Sequence, residues 1–197
     1  MVKKNTFNIA LFGLFTALII MMVFFGIGFI SVGQIAITLL HIPIIIAAIA
    51  IGTKEGVLVG LIVGVCCMIK AALRPETPTD PLFVNPIVSV LPRMLIGLFS
   101  GLVYRAFMSI VKNKEAGVIP AAACIVSAVV GTLTNTVFVL GALVLLYGDK
   151  IAVAKSQVIS FVIATIIATN GIFELITAVI VVPIIATTLI LLRKSFS

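Results

Sequence analysis

Three polar residues recur at every fourth position near the start of one apolar segment: Asn85, Ser89 and Arg93. Asn85 precedes Pro86, and this pair is typical of a helix start, because asparagine caps free amides and proline at the first helical position loses no hydrogen bond. In a helix the three side chains share one face, with Arg93 about two turns inside, or roughly 12 Å. A guanidinium there can bind a carboxylate, and asparagine amides can bind hydroxyl and amide groups.

Pro92 stands just before the arginine and removes one backbone hydrogen bond, which predicts a kink near Val88. If this helix lies in a bilayer, the arginine costs about 2.5–3.5 kcal/mol and needs a partner. Two partners are open: Glu174, in a buried ion pair that fixes two helices, or the carboxylate of a bound ligand. Both can hold if Glu174 orients Arg93.

Other polar residues also interrupt apolar segments. Polar side chains at membrane depth are expensive and usually face a cavity or one another. Asn170 and Glu174 share a helix face at positions i and i+4. His41 is the only histidine, and although such a residue is more often interfacial or bonded in the core, we include it. The candidate ligand-binding residues are Asn85, Ser89, Arg93, Thr134, Asn135, Asn170, Glu174 and His41.

The composition indicates an integral membrane protein. Of the 197 residues, 62% are hydrophobic and 10% are charged, and residues 5–53 contain no charged side chain. A soluble domain of this size could not bury so much apolar surface. The apolar runs are continuous and of helical length, without the alternation of an outer-membrane barrel. We therefore expect an all-α membrane protein.

Six transmembrane helices are predicted in a single membrane domain over residues 1–197: 7–29, 38–52, 55–73, 85–108, 118–147 and 171–192. The apolar region 151–192 is too long for one crossing, so residues 151–169 are expected to form a loop with helical or interfacial character. Seven crossings are the competing count. Six crossings put both termini on one side, which then carries eight basic residues against four, and the positive-inside rule places that side in the cytoplasm.

Small residues repeat at helical spacing, and such stripes let helix backbones approach closely. Two stripes are expected to pack within the bundle: Gly56, Gly60 and Gly64 in the third segment, and Gly97 and Gly101 in the fourth. A third stripe, on the first segment, can instead dock another membrane subunit: Ala10, Gly13 and Ala17.

Several kinds of chemistry have no sequence basis here. There is no Walker A motif, no HExxH pair and no Ser-His-Asp set. The three cysteines lack metal-ligand spacing, so no metal or cofactor is expected. One histidine and six acidic residues give an enzyme few acid–base groups. A substrate-binding subunit and a self-sufficient channel or secondary carrier remain as alternatives.

Four patterns, in this order, resemble the substrate-binding S components of energy-coupling factor (ECF) vitamin transporters. They are HIP at 41–43 with GTKEG at 52–56, FVNPIVSVLPR at 83–93, GTLTNT at 131–136, and NGIFE at 170–174. The resemblance covers nearly the whole chain. Together the patterns look most like the pantothenate-specific members, while riboflavin, folate and hydroxymethylpyrimidine members share the architecture.

The resemblance implies a vitamin-binding subunit of the bacterial cell membrane that captures its substrate from outside and topples in the bilayer to release it inside. It also implies partners: the membrane subunit EcfT and two cytoplasmic ATPases, EcfA and EcfA', which hydrolyse the ATP. In the family, small residues of the first helix dock EcfT, and Ala10, Gly13 and Ala17 match them loosely, because Leu14 interrupts the repeat. The family's lid loops correspond to residues 28–37, 74–84 and 148–169.

Pantothenate fits the polar residues of the chain. It carries a carboxylate, an amide and two hydroxyls, which one arginine and three asparagines complement. A flavin or pterin would call for stacking aromatic side chains, and the chain has no tryptophan and only two tyrosines. Phe83 and Phe173 can still stack, so the composition favours pantothenate over a flavin without deciding between them.

Overall fold

The computed structural model describes residues 2–32, 35–76, 80–110, 118–149 and 170–195. These residues form six helices, one two-stranded antiparallel hairpin and one 3₁₀ turn. In chain order they are α1 (Val2–Phe24), β1 (Phe29–Val32), β2 (Ile35–Thr38), α2 (His41–Ala50), α3 (Thr53–Leu73), the 3₁₀ turn (Asp80–Val84), α4 (Pro86–Ile110), α5 (Val118–Tyr147) and α6 (Asn170–Ser195).

Five of the six described helices are long and apolar enough to cross a membrane, and only α2 is not. Large apolar side chains such as Leu14 and Ile172 are exposed on their outer surfaces, where lipid can cover them. The predicted all-α membrane class is confirmed. The cytoplasmic location of both termini stays a prediction.

The short helix α2 forms the centre of the bundle. Its ten residues are all buried and extend about 15 Å, half of a hydrocarbon core. Ile45 lies against Gly131 of α5, and Ala48 lies against Gly56 of α3. A helix that is apolar on every side can be stable only when other helices surround it, which is the position that α2 takes.

Glycines bring α3 and α4 into backbone contact. A methyl group added at Gly60 would overlap the carbonyl of Arg93, and one added at Gly97 would overlap the backbone of Gly56. One added at Gly64 would lie 2.6 Å from the Cα atom of Val90. The prediction that these stripes pack within the bundle is confirmed.

The predicted end of the first helix was wrong. The sequence predicted a helix to residue 29, but α1 ends at Phe24 and Gly26 adopts a left-handed φ of +73°. Glycine accepts that conformation without steric cost and so ends the helix. The chain then enters the hairpin, in which Phe29 pairs with Thr38. Part of the segment predicted as the first lid loop is therefore β-structure.

Backbone hydrogen bonds join the hairpin to α1. The Gly28 N–H donates to the Met22 carbonyl at 3.1 Å, and the Leu39 N–H donates to the Gly28 carbonyl at 3.0 Å. We call this end of the bundle, which also holds Thr38 and Asn85, the hairpin end. The other helix limits agree with prediction within three residues, except that α1 begins at Val2, five residues before its predicted start at residue 7. Residues 112–115 and 151–169 lie outside the described residues.

At the opposite end, Arg193 of α6 closes the C-terminus of α2. Its Nη1 donates to the carbonyl oxygens of Ala50, at 2.9 Å, and Ile51, at 3.2 Å. The last carbonyls of a helix have no partner within the helix and carry partial negative charge, so a cation there satisfies both needs. This contact fixes α6 against α2 and sets the height of Glu174.

Candidate ligand-binding site

Asn85 caps α4, as its sequence predicted. Its Oδ1 accepts the N–H of Ile87 at 3.0 Å, and Pro86 is the first helical residue. Its Nδ2 donates to the hydroxyl of Tyr147 at 3.0 Å, which ties the start of α4 to the end of α5. Both polar atoms of the side chain are therefore engaged in holding two helices together.

Arg93 lies in the interior, and Pro92 helps to place it there. Proline has no N–H, so the carbonyl of Val88, four residues earlier, loses its helical partner. The Nη1 of Arg93 donates to that carbonyl at 2.8 Å, and the side chain is only 5% exposed. The same proline that interrupts the backbone ladder thus provides the anchor for the guanidinium.

An aromatic ring covers the guanidinium from the hairpin end. The ring centre of Phe83 lies 5.5 Å from the Cζ of Arg93, within the range of a cation–π contact. The buried hydroxyl of Ser89 donates to the Phe83 carbonyl and so holds the 3₁₀ turn that carries the ring. Ser89 therefore positions Phe83 and does not present a free hydroxyl.

Most of the N–H donors of Arg93 have no acceptor among the described residues. A guanidinium has five N–H donors, and the bond to Val88 is the one that Arg93 makes with the described part of the chain. The ion pair considered between Arg93 and Glu174 is not formed in this structure. The ion pair observed among the described residues joins Lys70 and Glu76 at 3.0 Å.

Asn135 lies at the depth of Arg93. A methyl group added at Gly131 of α5 would lie 3.4 Å from the Cβ of Ser100 in α4, while Val139 shares a buried cluster with Val88. Asn135 is midway between Gly131 and Val139 on the same helix face, so it lies opposite residues 93–96 of α4. It is 7% exposed, and its amide makes no hydrogen bond within the described ranges.

Glu174 contacts the base of the hairpin instead of the arginine. Its Oε1 accepts the backbone N–H of Thr38 at 2.7 Å and lies 3.4 Å from the Thr38 hydroxyl. His41, three residues later, donates from Nδ1 to the Thr38 carbonyl at 2.8 Å. Both Glu174 and His41 are close enough to Arg93 to interact with its charge.

The structure separates the candidate residues into two groups. Arg93 has Glu174 and His41 near its charge and Asn135 at its depth, and each of these side chains is buried. The second group has polar atoms that are already bonded within the fold, and it consists of Asn85, Ser89 and Thr134. The Thr134 hydroxyl donates to the Val130 carbonyl at 2.7 Å. Asn170 begins α6, but its side chain lies outside the described part of the structure.

Sequence analysis missed Thr38, which links Glu174 to His41. A threonine at the end of an apolar run has no pattern that marks it, because its role depends on a backbone N–H and a backbone carbonyl. These groups are present in almost every residue and gain a function only through the fold. The hairpin that presents them was itself not predicted.

The docking stripe on α1 lies on an exposed side of the helix. A methyl group added at Gly13 would meet no atom within 4 Å. Ala10 and Ala17 are exposed on the same side of the helix. Docking through this stripe stays a prediction.

Comparisons with known proteins match the chain to transport proteins along most of its length. A family model described as the substrate-specific component of ECF transporters matches residues 7–186. The chain is 28% identical over 211 residues to the pantothenic acid transporter PanT of Lactococcus lactis subsp. cremoris, covering 99% of this chain and 100% of the relative. It is 26% identical over 187 residues to the pantothenate transporter PanT of Leuconostoc mesenteroides subsp. mesenteroides, covering 89% and 88%.

Proposed function

This chain belongs to the substrate-specific components of ECF transporters, and we propose that it binds pantothenate for uptake across the bacterial cell membrane. The observation that carries the proposal is a buried arginine that makes one hydrogen bond to the described residues, together with a buried Asn135 whose amide makes none to them. A buried cation whose remaining donors bind none of the described residues is costly at this depth unless a ligand anion completes it. Both curated relatives named above are called pantothenate transporters.

Arg93 and Asn135 have the chemistry that a small amide-containing acid requires. The carboxylate of pantothenate accepts a forked pair of hydrogen bonds from the guanidinium, the strongest type available to it. The Asn135 amide can donate and accept at once and so suits the amide or a hydroxyl of the ligand. Asn170, in the NGIFE pattern, remains a proposed contact.

Energy for uptake comes from other subunits in this proposal. The chain carries no nucleotide-binding motif, so ATP hydrolysis belongs to the partners EcfA and EcfA'. EcfT docks on the stripe of Ala10, Gly13 and Ala17, and the bundle topples to carry the ligand to the cytoplasmic side. Uptake into liposomes should then require the chain, EcfT, both ATPases and ATP.

Calorimetry on the purified chain tests the site. We expect Arg93→Ala and Asn135→Ala each to weaken pantothenate binding at least tenfold, about 1.4 kcal/mol. Ser127→Ala is the matched control, because Ser127 is buried on the Asn135 face of α5 but donates to the Ala123 carbonyl of its own helix. Wild-type affinity in both site variants would remove the proposed site.

Two further measurements separate the alternatives. Riboflavin, folate and hydroxymethylpyrimidine in the same titration test whether another vitamin is the ligand, and pantothenate should bind most tightly. Ion-driven uptake by this polypeptide alone would identify a self-sufficient carrier instead of an S component. We expect no uptake from the chain alone.

A further inference from the structure

The imidazole of His41 is anchored at one nitrogen and unsatisfied at the other. The ring is 2% exposed, and its Nδ1 lies 2.8 Å from the carbonyl oxygen of Thr38. The Nε2 atom is buried and has no hydrogen-bond partner among the described residues. Buried polar atoms without a partner are rare in folded proteins, and each needs an explanation.

The bond made by Nδ1 determines whether Nε2 can donate or accept a hydrogen bond. A carbonyl oxygen only accepts hydrogen bonds, so Nδ1 carries the proton. A second proton on Nε2 would place a charged imidazolium in the interior with no acceptor for that proton among the described residues, which is strongly disfavoured. The ring is therefore neutral, and Nε2 is a hydrogen-bond acceptor.

Thr38, the last residue of β2, holds the ring in this orientation and is itself held by α6. While its carbonyl accepts from His41, its N–H donates to Glu174 of α6 at 2.7 Å. Because both the N–H and the carbonyl of Thr38 are engaged, the imidazole has little freedom to rotate. Glu174 is thus a positioning residue for His41, and its carboxylate does not need to touch the ligand.

We infer that His41 Nε2 accepts a hydrogen bond from an O–H or N–H group of the bound ligand. This deepens the proposed function and rests on it. Arg93 selects an acid, whereas His41 selects a donor on the same molecule, so the two residues recognise groups of opposite hydrogen-bonding character. A carboxylic acid that lacks a hydroxyl and an amide N–H would leave Nε2 unsatisfied and bind more weakly.

Nitrogen NMR tests the inference on the unmodified protein. The chain contains one histidine, so ¹⁵N-histidine labelling gives the imidazole signals of His41 without assignment. Before ligand is added, we expect the pattern of the neutral tautomer with the proton on Nδ1. Saturation with pantothenate should shift the Nε2 resonance strongly and leave the protonated Nδ1 resonance nearly in place. An unchanged Nε2 resonance in the saturated protein would overturn the inference.

Paired variants and ligand analogues identify the donor. His41→Asn keeps a donor near the Nδ1 position but has nothing at Nε2, whereas His41→Gln can place a carbonyl oxygen near Nε2. We expect His41→Asn to weaken pantothenate binding about tenfold and His41→Gln to weaken it less. Thermal unfolding of the ligand-free variants checks that both are folded.

Two analogue series then distinguish the possible donors. One series lacks the hydroxyls, and the other replaces the amide by an ester. The analogue that lacks the relevant donor should bind wild type weakly and lose no further affinity in His41→Asn. If the loss of affinity from His41→Asn and the loss from the ligand change simply add in both series, the ligand makes no contact with His41. If wild type binds pantothenate tightly and the losses add in both series, only the inference about His41 is refuted. If wild type does not bind pantothenate, the proposed function is refuted.

Discussion

The glycine stripes of α1 and of α3 and α4 look alike in the sequence but have opposite surroundings in the fold. Gly60 and Gly97 are in contact with the backbone of the facing helix, whereas Gly13 has open space on its free side. In the apolar stretch of α1, 22% of the residues are buried, against 44% in the corresponding stretches of α3 and of α4. The stripes of α3 and α4 pack against each other, whereas no described residue lies within 4 Å of a Cβ atom built at Gly13 of α1.

A small-residue stripe therefore predicts that another helix packs closely there, but it does not show whether that helix belongs to the same chain or to another subunit. In lipid, such stripes associate through packing, since the lipid tails are as apolar as the side chains. On α3 and α4 the stripes also set the position of Arg93, because Gly60 contacts its carbonyl. The α1 stripe fits the proposed contact with EcfT. Substitutions in each stripe can break or sharpen this contrast.

The largest effect is expected from Gly97→Leu. A side chain there would overlap the backbone of Gly56, which cannot move without separating α3 from α4. Overpacking of this kind costs about 1–3 kcal/mol, and more where backbone opposes backbone. We expect little folded protein after detergent extraction, measured by size-exclusion chromatography. A folded variant with a wild-type unfolding temperature would show that the interface is looser than described.

Gly13→Leu should abolish ATP-driven uptake while leaving ligand binding unchanged. A Cβ atom at residue 13 meets no described atom within 4 Å, so the leucine should fit the isolated chain but would separate α1 from a docked subunit. Uptake into liposomes with EcfT and both ATPases gives the first readout, and calorimetry on the isolated chain gives the second. Gly13→Ala is the control and should retain most uptake. Normal uptake by Gly13→Leu would place the docking surface elsewhere.

Gly60→Ala should lower both stability and affinity moderately. Its methyl group would push the Arg93 carbonyl, so α4 must shift at the residue that carries the guanidinium. We expect a loss of about 1–3 kcal/mol in stability and a several-fold weaker affinity for pantothenate. Gly101→Ala is the matched control, because it meets Thr53, away from Arg93. Equal loss of affinity in both variants would argue against a specific effect on Arg93.

The smallest effect is expected from Gly141→Ala, and it has the opposite sign. Gly141 lies inside α5, and a methyl group there would meet no atom within 4 Å. Alanine is favoured over glycine in a helix by about 0.5–1 kcal/mol, so the unfolding temperature should rise slightly. A fall would indicate that another surface contacts this part of α5.

The sequence predicted the site unevenly, and the pattern has a physical cause. Arg93 and Asn135 were predicted as ligand contacts because a charge or an amide inside an apolar segment is costly and therefore conspicuous, and both stay predictions. Asn85, Ser89 and Thr134 were chosen by the same reasoning, but their polar atoms are used by Tyr147 or by nearby backbone. A sequence shows that a polar atom needs a partner but does not show which partner it finds.

The sequence alone determined the membrane class, the approximate limits of most helices, the cap at Asn85 and the place of Arg93 beside Pro92. These follow from local hydrophobicity and backbone chemistry, which act over a few turns of the chain. Only the tertiary structure decided that Glu174 holds Thr38 instead of Arg93, and that His41 Nε2 has no partner among the described residues. Those outcomes depend on the relative height of helices far apart in sequence, which is set by glycine contacts and by Arg193 at the far end of α2.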